Sequence, residues 1–218
     1  MDRAYPPINN LLEQATCITR RSKEATGEIE PTEGYKGRQI KELIVFANAN
    51  NLWIDLSHLN ITYMDKGGEN EVFHDGKSSV IKLNNFEYAG DDLENFFIRI
   101  NAHNKFFSNV PYQMIGFSYN SRQEFSAVLT QPYIFAEREA TEDEIAEYME
   151  ALGFEMDYID EFHNDQYEVC LLYTSQVKLL TYPSLSLISI NWLSLSYLKE
   201  YWLPLPLSAL TIRPSFNV

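Results

Sequence analysis

Residues 60–83 read Asn-Ile-Thr-Tyr-Met-Asp-Lys-Gly-Gly-Glu-Asn-Glu-Val-Phe-His-Asp-Gly-Lys-Ser-Ser-Val-Ile-Lys-Leu, and this order of strand formers and turn formers constrains the fold more than any other stretch. Ile61 and Tyr63 alternate with polar residues, as a half-buried strand requires. Gly67-Gly68 predicts a turn with positive φ and a close backbone approach, which a Cβ would resist. Val72 and Phe73 resume the strand pattern, and Asp75-Gly76 predicts a two-residue hairpin turn with φ > 0 at both positions. Val80, Ile81 and Leu83 then surround Lys82. A lysine in an apolar strand either points to solvent from a surface hairpin or needs a partner for its charge.

Within residues 86–104 the pattern predicts an amphipathic helix. Leu93, Phe96, Phe97 and Ile100 recur at i, i+3, i+4 and i+7, and Asp91 and Asp92 stand at its start, where the macrodipole favours negative charge. Glu94 falls in the first turn, where it either stabilises the helix start or turns towards Lys82. Strands are predicted over 112–119 and 124–129, with an exit through Thr130-Gln131-Pro132-Tyr133-Ile134. Five strands with one helix after the third make an α+β unit.

Upstream, residues 9–21 read as a short helix and 22–35 as a polar linker. A second helix is predicted over 36–47, with Ile40, Leu43, Ile44 and Ala47 on one face, packed against the outside of the sheet. Trp53 reads as core rather than ligand contact. Downstream, Thr141 and Glu144 form a capping box, Ile145, Tyr148, Met149 and Leu152 form an apolar stripe, and Gly153 suits the C-cap of a helix over 141–153.

The run Gly67-Gly68-Glu69-Asn70-Glu71-Val72-Phe73, then Val80-Ile81-Lys82-Leu83-Asn84-Asn85-Phe86, then Tyr88-Ala-Gly-Asp-Asp-Leu-Glu-Asn-Phe-Phe resembles the polyvalent protein kinases, encoded in large bacterial mobile-element proteins. Asn51-Leu52-Trp53-Ile54-Asp55 and Gln131-Pro132-Tyr133-Ile134-x-Ala-Glu-Arg-Glu-Ala-Thr extend the likeness over residues 39–169. The resemblance implies a protein-kinase-like N-lobe, a five-stranded antiparallel sheet plus one helix, with an N-terminal helical extension and a truncated, atypical C-terminal part. It implies ATP and Mg²⁺ as cofactors. A nucleotide-binding set follows from it: Gly67 and Gly68 over the phosphates with Val72 beside them, Lys82 on the α- and β-phosphates, Glu94 as the helix partner of Lys82, and Gln131 and Tyr133 in the hinge that reads adenine. The glycine turn departs from the full G-x-G-x-x-G form.

Phosphoryl transfer also needs a base and metal-binding groups, which the family carries in an Asp-x-His-x-x-Asn-type loop and a later Asp. Residues 171–218 contain no aspartate, no histidine and one acid, Glu200. The chain as written is therefore expected to lack catalysis, and no catalytic or metal-binding residue is assigned. Residues 137–168 are densely acidic and supply much of the −14 net charge, whereas the sequence beyond Cys170 turns Leu/Ser-rich. That tail reads as strand-rich, as membrane-seeking, or as a stretch translated out of frame. The last is preferred, because the change falls where the catalytic loop belongs.

The domains expected are 1–36 (helix and linker), 37–134 (small lobe with its preceding helix), 135–169 (start of the large lobe) and 170–218 (tail). Asp157, Asp160, Glu161, His163 and Asp165 crowd together, but their spacing fits neither an EF-hand nor a zinc site and reads as a solvated acidic loop. Two cysteines, Cys17 and Cys170, and no apolar leader favour the cytoplasm. Strong acidity argues against nucleic acid, and no apolar run is long enough to span a membrane. The partners expected are a nucleotide and a protein substrate. The alternative function is a non-catalytic interaction module of a mobile-element protein.

Overall fold

The computed structural model describes residues 10–24, 34–133, 138, 141–158, 161–165, 169–172, 179–182 and 185–188. Strands β1 (Thr62–Lys66), β2 (Asn70–His74), β3 (Ser79–Asn84), β4 (Gln113–Tyr119) and β5 (Phe125–Pro132) form one antiparallel sheet in the order β1-β2-β3-β5-β4. Helix α3 (Glu94–Phe106) is inserted between β3 and β4. This is an α+β fold consistent with a kinase-like N-lobe. The registers Val72↔Lys82 and Lys82↔Leu129 put these residues on one face, and Ile81 and Leu83 on the other.

The face carrying Lys82 meets α3 and the two helices that precede the sheet. Helix α1 (Leu11–Glu24) begins where the Asn10 carboxamide accepts from the Glu13 amide at 3.2 Å, and α2 (Tyr35–Asn50) ends on Asn51 in the left-handed region. Their Leu11, Ile18, Leu43 and Phe46 join Phe96 and Phe97 of α3 over Phe117, Phe125 and Leu129 of the sheet. Burying each large side chain is worth about 1.5–3 kcal/mol, so this layer dominates the fold. Helix α2 thus belongs to the main core, not to the outside of the sheet as its periodicity alone suggested. The stripe of an amphipathic helix fixes which side is buried, not which sheet face receives it. Ile54, Leu56, Ile61 and Ile115 cover the other face over Ile81, Leu83 and Val128.

Residues 52–54 run beside β4: the Ile54 amide donates to the Phe117 carbonyl at 2.8 Å and the Phe117 amide to the Leu52 carbonyl at 2.9 Å. Trp53 bridges to Phe117, stacks on Tyr119 at 5.2 Å and packs on the core. The approach requires Gly116, where a Cβ would lie 2.4 Å from the Leu52 carbonyl oxygen.

Three local expectations change. Neither Gly67 nor Gly68 has positive φ; the glycines with positive φ among the described residues are Gly76, Gly90, Gly116 and Gly153. The Asp75-Gly76 turn is longer than two residues, because the Asp75 carboxylate accepts from the Lys77 and Ser79 amides at 2.8 and 3.0 Å and builds an Asx turn. The helix itself starts at Glu94, next to the expected Asp91-Asp92 start, because Phe86 (φ 63°) and Gly90 (φ 68°) before it leave helical space. β5 also continues through Gln131 and Pro132 rather than ending at residue 129.

Beyond residue 140 lies α4 (Glu142–Ala151), opened by the expected capping box between Thr141 and Glu144. Arg138, followed by the Thr141 amide, holds the Glu144 carboxyl at about 2, well below the usual range. Ile145, Met149, Phe154 and Phe162 form a second, small core with Phe107 and Val110. Strands β6 (Glu155–Tyr158), β7 (Glu161–Asn164) and β8 (Val169–Leu172) form a three-stranded sheet. β9 (Leu179–Tyr182) and β10 (Leu185–Ile188) pair as a hairpin, and the rest of the Leu/Ser-rich tail lies outside the described residues. Among the described residues no helix is long and apolar enough to cross a membrane.

Candidate functional site

Lys82 faces inward. It is 3% exposed, and its Nζ donates to the Tyr112 hydroxyl at 2.8 Å and to Gln131 Oε1 at 3.2 Å. The surface-hairpin alternative is thereby removed. Burial pushes the ammonium down to about 8, with the Glu69 carboxylate acting in the opposite direction. Tyr112 is held at a high pKa, first by burial and then by Glu69. His103 of α3 packs on the Tyr112 ring at 4.6 Å and is pushed down to about 4 by burial, so it stays neutral at pH 7.

Val72 is buried opposite Lys82 on β2. Gln131 lies in the β3–β5 ladder, and its side-chain amide donates to the Val110 carbonyl at 2.9 Å. Tyr133 donates its amide to the Ser78 carbonyl at 2.7 Å and sets its ring against His74 at 4.6 Å. Both hinge residues therefore spend polar groups within the protein, where the resemblance would have them meet adenine.

The Gly67-Gly68 turn is tethered at its rim. Gly67 donates its amide to the Asn70 carbonyl at 2.8 Å, and the Arg122 guanidinium reaches the Gly68 carbonyl at 3.4 Å. A Cβ on Gly68 would lie 2.0 Å from the Tyr88 hydroxyl, so the close approach here is that of Tyr88. Lys66 pairs with Glu71 at 2.7 Å, and the Ser121 hydroxyl also donates to Glu71, tying the turn to the β4–β5 connection.

Glu94 turns away from Lys82. Its carboxylate pairs with Arg20 of α1 at 2.7 Å and approaches Lys23 at 3.9 Å. Asp92 accepts from Lys23 and from Gln39 of α2, both at 2.7 Å, and these contacts with the Glu94 amide outweigh burial to hold it below the usual carboxylate range. Gln39 Oε1 in turn accepts the Leu93 amide at 2.8 Å. The N-terminal helices thus grip the start of α3.

Among the buried members of α3 runs one cation, Arg99, whose Nη2 lies 3.8 Å from Glu69 Oε2. Both side chains line a small cavity with Asn70, Asn84 and Tyr112. Sequence reading gave no site role to Arg99, Glu69, Tyr112 or His103. Arg99 and His103 do fall on the stripe of Phe96 and Ile100, but an apolar periodicity count skips charged members.

The donor set suits an anion: the largely enclosed Arg99 pairs with Glu69, and the buried Lys82 ammonium donates to the neutral Tyr112 and Gln131. The fit to Mg²⁺ is poor, since no group of three or more His, Cys, Asp or Glu able to hold a metal occurs among the described residues. Of the acidic crowd near β7, His163 lies 2.9 Å from Asp157 and 3.7 Å from Asp165; Asp160 and the Glu161 side chain lie outside the described residues. Cys17 is a free, exposed thiol.

No curated protein and no solved structure matches the chain. Residues 36–174 match the family described as Serine/Threonine/Tyrosine Kinase found in polyvalent proteins. That interval opens at α2 and takes in the whole five-stranded sheet, α3 and the buried Lys82. The chain belongs to this kinase family of polyvalent proteins.

Proposed function

We propose that the chain is a kinase-like nucleotide-binding unit that holds the phosphates of ATP through Lys82 and does not itself transfer phosphate. The observation that carries the reading is the buried Lys82 ammonium on β3, at the sheet face that also bears Val72 and receives α3. Family membership supplies the nucleotide. Absence of transfer rests on residues 171–218, where Glu200 is the one acid and no histidine occurs. Gly67 and Gly68 would cover the phosphates, Gln131 and Tyr133 would border adenine, and Mg²⁺ would arrive with the nucleotide. A reducing cytoplasm and a bacterial mobile element are the setting this reading implies.

Thermal denaturation with MgATP tests it. Ligand at about 100 times Kd stabilises the folded state by about 2.7 kcal/mol. The shift is expected in the native chain, is lost in Lys82→Met, and is not accompanied by release of labelled phosphate.

One observation favours the alternative, a non-catalytic interaction module. β1 is an edge strand with all five residues exposed, including Tyr63 and Met64, and such an edge can accept another strand. A folded chain with no nucleotide shift selects this second reading.

A further inference from the structure

An ammonium as deeply buried as Lys82 needs a counter-charge, because the effective penalty for an unpaired buried ion is several kcal/mol. Its hydrogen-bond partners Tyr112 and Gln131 supply dipoles only. The nearby acids can be taken in turn. Glu94 on α3 is engaged by Arg20 and Lys23. Glu71 on β2 sits opposite Leu83, hence on the other sheet face, and is engaged by Lys66 and Ser121. Glu124, before β5, accepts from Asn85 and Asn120 at the surface. Glu69 remains. It follows the glycine turn, lines the cavity with Tyr112, and lies 3.8 Å from Arg99.

We propose that Glu69 is the carboxylate that positions Lys82, held by Arg99 of α3, and that Glu94 takes no part. This deepens the nucleotide reading and rests on it for one point alone, that the ammonium so oriented meets phosphate. One side chain then links the glycine turn, β3 and α3, so a shift of the turn changes the charge balance at Lys82. Tyr112 before β4 and Gln131 from β5 bond Lys82 directly; the cavity that Tyr112 lines is shared by Glu69 from the turn and Arg99 from α3, and His103 of α3 packs on the Tyr112 ring. Of these, Glu69 carries the one negative charge. It opposes the effect of burial on Lys82.

The test is a pH titration of the Lys82 ε-methylene signal by ¹³C NMR in the full chain, assigned through its loss in Lys82→Arg. The native midpoint is expected near 8. Glu69→Gln lowers it by about one pH unit or more, Glu69→Asp restores most of the shift, and Glu94→Gln leaves it where it was. An unmoved midpoint in Glu69→Gln, or a moved one in Glu94→Gln, overturns the proposal. A second measurement needs no variant: the Glu69 δ-carbon of the native chain should inflect at the Lys82 midpoint, and a flat response overturns the proposal equally. MgATP affinity separates the two readings. It should fall as pH rises through the Lys82 midpoint, and at a lower pH in Glu69→Gln. If the native chain binds no MgATP at any pH, the nucleotide reading fails, while the NMR titration still decides the role of Glu69.

Discussion

The start and the middle of α3 handle charge in opposite ways. At its start, Asp92 and Glu94 meet Lys23 and Arg20, long cations whose side chains are 43% and 54% exposed. Two turns on, Arg99 and Glu69 have side chains 11% and 12% exposed. At the first, Asp92 and Glu94 are themselves only 14% and 12% exposed, but water reaches the cations that answer them, and the pairs mainly orient the helix. At the second, removal of either partner strands an ion in a low-dielectric space. A carboxylate near a helix start is therefore poor evidence of a role at Lys82 when a solvated cation lies closer. The acid with the greater leverage is the one whose neighbours are buried.

That contrast can be broken by experiment. Arg99→Met leaves Glu69 without its guanidinium and should cost about 3–5 kcal/mol in urea denaturation; a cost below about 1 kcal/mol would mean the inner pair is solvated after all. His103, pushed down to about 4 by burial, comes next. Its folded-state pKa lies below its unfolded one, so its contribution is present above about 6.5 and is lost as pH falls to about 4, up to about 3 kcal/mol. Stability curves of the native chain and of His103→Gln should diverge between about pH 4 and 6.5 and run parallel on either side of that window. The smallest effect belongs to the start of α3. Arg20→Ala should cost less than about 1 kcal/mol, and less still at high salt. A loss equal to that of Arg99→Met would erase the difference between the start and the middle.

Much of this architecture was written locally. The strands β1, β2 and β3, the Phe96–Phe97–Ile100 stripe of α3 and the Thr141–Glu144 capping box need only neighbours a few residues away and form where read, but the half-burial expected of the first strand does not, since β1 is exposed along its whole length. The order of glycine turn, strand lysine and following helix was legible for the same reason. Turn geometry was less so: Gly67 and Gly68 permit positive φ but do not demand it, and the Asp75 carboxylate lengthened a turn that its dipeptide alone would have closed.

The candidate site was legible as a residue and illegible as a network. Lys82 stood out because a cation in an apolar strand is costly unless it reaches water or a partner. Which acid answers it depends on how α1, α2 and α3 dock on one sheet face. Arg20 finds Glu94 across 74 residues, and Gln39 finds Asp92 across 53. Arg99 meets Glu69 because α3 lies over the end of the glycine turn. Periodicity determined which residues turn inward, since 2.0 and 3.6 residues per repeat are properties of the backbone. Only the tertiary structure decided which charges meet, because Coulomb energies depend on distance and burial, and neither is carried by the order of residues.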